Sequence, residues 1–166
     1  MNIWVVLVTT MHVGLCLVAL LLGVRTIYRY AFAGREPSRE SAFLYTALAA
    51  TLTGFGFPFH GVTPAILIGL ISSAVLIVTL LARARLNRGK HAPVLIFVTG
   101  LATTAYLLVF VTVAQAFTKI AALHVLAPTL KEVPFVLTQG LALVLFVLLT
   151  ALSVRRLTFP RITGEP

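Results

Sequence analysis

Five apolar runs of roughly bilayer-spanning length follow one another along the chain, separated by short polar stretches. About 20 consecutive apolar residues are what a transmembrane helix requires, so the pattern predicts spans at about 3–24, 41–59, 64–84, 93–118 and 134–154. Little chain is left over for a soluble domain. The expectation is therefore one all-α membrane domain over residues 1–166, with the second to fifth spans as a four-helix core and the first packed against it.

The polar residues within the runs indicate which faces turn inward. At 100° per residue, Val5, Thr9, His12, Cys16 and Gly23 share one face of the first span, which should meet other helices because a lipid-facing histidine is costly. The stretch from Arg25 to Glu40 mixes charges with Gly34, Pro37 and Ser38 and reads as a solvated loop, with Tyr28, Tyr30 and Phe32 in the headgroup layer. In the second span Thr46, Ala50, Gly54 and Pro58 recur every fourth residue, a small-residue seam for close helix approach. The third span opens with Thr63 as N-cap and Pro64 as its first helical residue. In the fourth, Thr104, Thr112, Gln115 and Lys119 fall within an arc of about 80°. Before the fifth, Thr129 and Glu132 have capping-box spacing, predicting a helical turn ahead of Pro134.

Composition agrees with the pattern. Hydrophobic residues make up 60% and charged residues 10% of the chain, against about 45–50% and 25% in soluble domains. The net charge of +9 does not imply nucleic acid, because the basic residues cluster beside the apolar runs, where they orient helices. Eleven of the 13 Lys and Arg fall in the two basic loops and the C-terminal tail, and the other two, Lys119 and Lys131, near the loop before the fifth span. This bias predicts the N-terminus outside and the C-terminus inside. The first run is not preceded by a positive residue and is longer than a signal-peptide core, so it is expected to remain as a helix. A single cysteine, Cys16, excludes an internal disulfide, a CxxC redox pair and a thiolate zinc site.

Candidate chemistry is sparse. Aspartate is absent, and Glu36, Glu40, Glu132 and Glu165 all fall outside the predicted spans, which argues against proton-coupled carriage and carboxylate catalysis. No P-loop, dinucleotide or Ser-His-Asp signature occurs. Two histidines facing each other at one depth could ligate haem, but His12 is near mid-membrane, His60 and His124 are at the outer surface, and His91 is inside. The structural reading of His12 is a hydrogen bond to a threonine or carbonyl of a neighbouring helix. Cys16, one turn from it, lacks the carboxylate that would orient a nucleophile pair. The remaining constellation is at the outer end: Gln115 and Lys119 of the fourth span, His124 and Glu132 of the loop and Gln139 of the fifth, with His60 nearby. These groups could meet a polar headgroup above helices that hold an apolar tail. Alternatively, they form a helix-end network in which Glu132 caps its own turn and pairs with Lys119.

Two stretches, TGFGFPFHGVTP and VFVTVAQAFTKIAALHVLAPTLKEVPFVLTQG, resemble a group of uncharacterised bacterial integral membrane proteins. The likeness covers roughly residues 50–150. In that group the loop reads close to ALHALAPT followed by EPPF, and this chain has Val133 in place of the first of those prolines. The resemblance implies a bacterial inner (cytoplasmic) membrane location and no particular activity.

These readings lead to a small non-enzymatic inner-membrane protein, requiring no cofactor, that binds an amphiphilic molecule or a partner at its outer face. The alternatives are a redox protein holding haem or quinone through His12, and a homo-oligomeric transporter or channel.

Overall fold

A backbone in lipid must satisfy its polar groups internally, so apolar runs of this length fold as helices. The computed structural model describes residues 3–33, 37–57, 64–86 and 91–158. Six helices occur among them: α1 Ile3–Phe32, α2 Pro37–Gly54, α3 Pro64–Ala84, α4 His91–Lys119, α5 Ala121–His124 and α6 Val133–Thr158. No described residue is in a strand. Four of the helices are long and apolar enough to cross a membrane, namely α1, α3 from Ile66, α4 from Ala92 and α6 to Leu157. The second predicted span is the exception. Its helix starts at Pro37 and so takes Arg39 and Glu40 into its first turn.

The solvated loop expected from Arg25 to Glu40 is largely helix. α1 continues to Phe32 because Thr26, Ile27, Tyr30 and Ala31 extend its buried stripe at helical spacing, while Arg25 and Tyr28 stay on the exposed side. Tyr30, expected among the headgroups, is buried. Helix α3 starts at Pro64 as predicted; Thr63 and Pro58 lie outside the described residues.

Helix α1 packs on α2, α4 and α6, α3 packs on α4 and at fewer points on α2, and α4 packs on α6. Helices α1 to α4 therefore close a ring, with α6 against its α1–α4 side. This corrects the expected core: the first span belongs to it and the last is apposed. Gly23 explains the difference, because a Cβ there would come within 2.7 Å of the Phe43 ring and 3.1 Å of Ala105 Cβ. Only a bare backbone fits between α2 and α4. A second close approach joins α3 to α4, where a Cβ on Gly100 would be 2.1 Å from Thr79 Oγ1.

Burial is uneven along the bundle. The main core comprises Ala19, Ile27 and Tyr30 of α1, Phe43, Leu44 and Ala47 of α2, Leu76 and Ala82 of α3, Phe97 to Ala105 of α4 and Phe146 of α6. These residues extend from the middle of the bundle to the end where α1, α3 and α6 finish and α2 and α4 begin. At the opposite end the one buried apolar cluster among the described residues is smaller, with Phe117 and Phe135 in edge-to-face contact and Ala127 of the loop clustered with them. We call the two ends closed and open.

Candidate functional site

The outer constellation is only partly assembled. Gln139 is buried on α6 and donates from Nε2 to the Phe110 carbonyl of α4 at 3.0 Å, while its Oε1 is buried without a donor among the described residues. It therefore ties two helices together and does not face a headgroup. Glu132 closes its own loop. Its Oε1 accepts from the Thr129 hydroxyl at 2.8 Å and the Thr129 amide at 3.2 Å, and its Oε2 from the Lys131 amide at 3.0 Å. No helical turn forms ahead of Pro134. Leu130 instead takes a left-handed φ of 59°, and α6 starts at Val133, with the Val136 amide donating to the Glu132 carbonyl. Desolvation raises the Glu132 pKa, but the bonds from Thr129 and Lys131 outweigh it and hold the carboxyl below the ordinary glutamate value.

Lys119 is not among the groups that engage Glu132. It is exposed at the end of α4, as are Gln115 one turn earlier and His124 at the end of α5. His60 lies outside the described residues. The arc on the fourth span does not act as one polar seam. Thr104 is buried with its hydroxyl on the Gly100 carbonyl, whereas Thr112 is exposed and bonded to Leu108 O. Most other Ser and Thr hydroxyls of the bundle likewise donate to carbonyls one turn back, Thr9, Thr46, Ser73, Thr79 and Ser153 among them. Such hydroxyls have their donor satisfied within their own helix.

His12 is half-buried against α2, as its lone polar position suggested. Its Nδ1 is 3.2 Å from Thr53 Oγ1, its ring meets Phe57 edge-on at 5.4 Å, and a Cβ on Gly54 would be 3.2 Å from its Cε1. Gly54 belongs to the predicted small-residue seam, and what lies against it is the His12 imidazole. The other nitrogen, Nε2, is 3.5 Å from Cys16 Sγ on the same helix.

The closed end holds a polar group that sequence reasoning missed. Glu40 is fully buried and accepts a hydrogen bond from the Tyr30 hydroxyl, and Arg83 donates from Nη2 to Ser41 Oγ beside it. These contacts tie α1 and α3 to the start of α2. The spacing of Thr26, Ile27, Tyr30 and Ala31 was the available signal, masked by the charges and helix breakers around it. Buried carboxylates require partners, and here a tyrosine supplies one.

Among the described residues, no cluster of three or more His, Cys, Asp or Glu could hold a metal ion. Comparisons with protein-family models, curated proteins and solved structures find no match to this chain.

Proposed function

We propose that this is a bacterial inner-membrane protein of five spans, N-terminus outside and C-terminus inside, that holds an amphiphile with an anionic headgroup at its outer end without catalysing a reaction. The observation that supports this reading is the state of Glu132. The carboxylate expected to pair with Lys119 is taken up by Thr129 and Lys131, which leaves Lys119 exposed and directed to solvent or headgroup. Lys119 and His124 then form the rim, above an end of the bundle where few of the described side chains are buried. The small cluster of Phe117, Ala127 and Phe135 fixes the loop that carries His124. A headgroup phosphate or carboxylate is the natural counter-charge for an ammonium at a membrane surface.

The five-span reading counts α2 with the four longer helices, because it packs along α1 and, together with α3, separates two basic segments. The haem alternative is less well supported, since the imidazole inside the bundle directs Nε2 to its own helix and not across to a second histidine.

The test compares wild type with Lys119→Gln, purified identically, with co-purifying lipids quantified by mass spectrometry and melting followed in parallel. Loss of a charge-assisted hydrogen bond of about 1.5–3 kcal/mol should lower retention of anionic lipid about tenfold or more, with an unchanged melting temperature. Equal anionic lipid content in the two proteins overturns the proposal.

A further inference from the structure

The outward face of α1 changes character along its length. At about 100° per residue, Val18, Leu21, Arg25, Tyr28, Arg29 and Phe32 fall within an arc of about 100°. On the opposite side Gly23, Thr26, Ile27, Tyr30 and Ala31 are buried in the bundle. Val18, Leu21, Arg25, Tyr28 and Phe32 are exposed and Arg29 is half-buried. The Tyr28 and Phe32 rings lie against each other, 4.9 Å apart between centroids. One uncovered face thus passes from aliphatic side chains to two arginines interleaved with two aromatic rings.

Neither helix termination nor orientation accounts for this arrangement. A basic side chain in the last turn complements the negative end of the helix dipole, which serves for Arg29 but not for Arg25, about two turns before Phe32. The basic bias that orients a span needs charge beside it and selects no face. Like charges four residues apart on a helix are unfavourable by themselves, and an anion that accepts from both relieves the repulsion. Among the described residues the exposed charge at the closed end is all positive: Arg85, Arg155 and Arg156 are exposed there with Arg25, while Glu40 is fully buried.

We infer that this face of α1 binds an anionic phospholipid, with Arg25 and Arg29 on the headgroup phosphate, Tyr28 and Phe32 beside them in the headgroup layer, and an acyl chain along Leu21 and Val18. The planar fork of donors on arginine matches a phosphate, and aromatic rings favour the boundary between headgroups and acyl chains. Leu21 is one helical turn from Arg25, so a phosphate held there sets its acyl chains directly on the aliphatic part of the face. That continuity favours a lipid over a soluble polyanion, because a nucleic acid or an acidic peptide makes no use of Leu21, which is 72% exposed. The closed end is opposite the one that carries Lys119, so the inference does not rest on the reading of that site.

The experiment reconstitutes the protein in phosphatidylcholine vesicles containing photoreactive phosphatidylglycerol, with a diazirine on the acyl chain next to the glycerol. The label is mapped by mass spectrometry in wild type, Arg25→Gln, Arg25→Lys and a double variant carrying Arg155→Gln and Arg156→Gln, each checked for a cooperative melt. Label should appear on α1 between Leu17 and Phe32. It should fall about tenfold in Arg25→Gln, for the loss of a charge-assisted hydrogen bond, and less in Arg25→Lys. It should persist in the double variant, which removes two charges from the same end. Unlabelled phosphatidylglycerol should displace it, and inorganic phosphate should not. Equal labelling of wild type and Arg25→Gln overturns the site. So does an equal loss in the double variant, which would mark a diffuse field, or displacement by inorganic phosphate, which would mark a soluble anion. Label absent from α1 refutes the lipid and leaves this end to an acidic protein or a nucleic acid. Should Arg25→Gln fail to fold, the wild-type label map, its displacement and the double variant decide.

Discussion

Acidification should open the loop before α6 through one residue, Glu132. Its carboxyl is held below the ordinary glutamate value by the Thr129 and Lys131 bonds, so the closed loop binds fewer protons than the open one. The stability it contributes is present above the ordinary glutamate pKa and is lost as pH falls through the lowered folded-state value. Hydrogen-exchange protection of the Thr129 and Lys131 amides, which donate to this carboxylate, should decline over that interval in wild type and lose its pH dependence in Glu132→Gln. Protection that declines identically in both proteins would sink the account. At this scale His12 was legible, because a lone imidazole in an apolar run needs a neighbouring helix, and Thr53 supplies it. Glu40 was not. Its partner Tyr30 lies ten residues back across a segment containing Gly34 and Pro37, and only folding brings the two together. Gln139 was seen as polar and placed at the correct end, but its bond to a backbone carbonyl of α4 has no sequence signal.

Among elements, the α3–α4 contact depends on Gly100. A Cβ there would lie 2.1 Å from Thr79 Oγ1 and 3.0 Å from Thr79 Cβ, and Thr79 is fully buried with its hydroxyl on the Val75 carbonyl. The expectation for Gly100→Ala is a loss of about 1–3 kcal/mol from overpacking. Adding Thr79→Ala should recover part of it, since the two Thr79 atoms it removes, Oγ1 and Cγ2, are among the three nearest to the added Cβ. Thermal melts of the two single variants and the double give the coupling, and strictly additive losses would contradict the contact. The starts of α1, α3, α4 and α6 were readable from hydropathy to within two residues, α3 beginning at Pro64, whereas α2 starts four residues early and α5 was not foreseen. Ends were less readable. Helix α1 runs through Arg25 and Arg29 because charged side chains at the rim of a bundle can leave the helix sideways while the backbone continues. Which helices touch was misjudged for a related reason. Gly23 gave the first span a place between α2 and α4, but a glycine in a sequence does not name its neighbours.

For the whole molecule, the proposed orientation makes a labelling prediction. In a Cys16→Ser background, a cysteine replacing Val125, which is 81% exposed, should react with an impermeant thiol reagent from outside intact cells. One replacing Arg156 near the end of α6 should react only after lysis. The opposite pattern reverses the topology. Ala127 would be an unsuitable probe position despite lying in the same loop, because it is completely buried. The basic bias that motivates the orientation was fully legible. The concentration of the core at one end was not, because Leu and Val fill both halves of every span, and only packing distinguishes those that meet protein.

Helix lengths also set the boundary the protein offers to its surroundings. Helices α1, α4 and α6 have 30, 29 and 26 residues, and α2 and α3 have 18 and 21. At 1.5 Å per residue these are about 45, 44 and 39 Å on one flank and about 27 and 32 Å on the other. On the five-span reading proposed above, a bilayer with a hydrocarbon thickness of about 30 Å is close to the lengths of α2 and α3, and the longer helices exceed it and would incline or project. On that reading the lipid annulus is under different strain on the two flanks, and shorter acyl chains should favour the α2–α3 side.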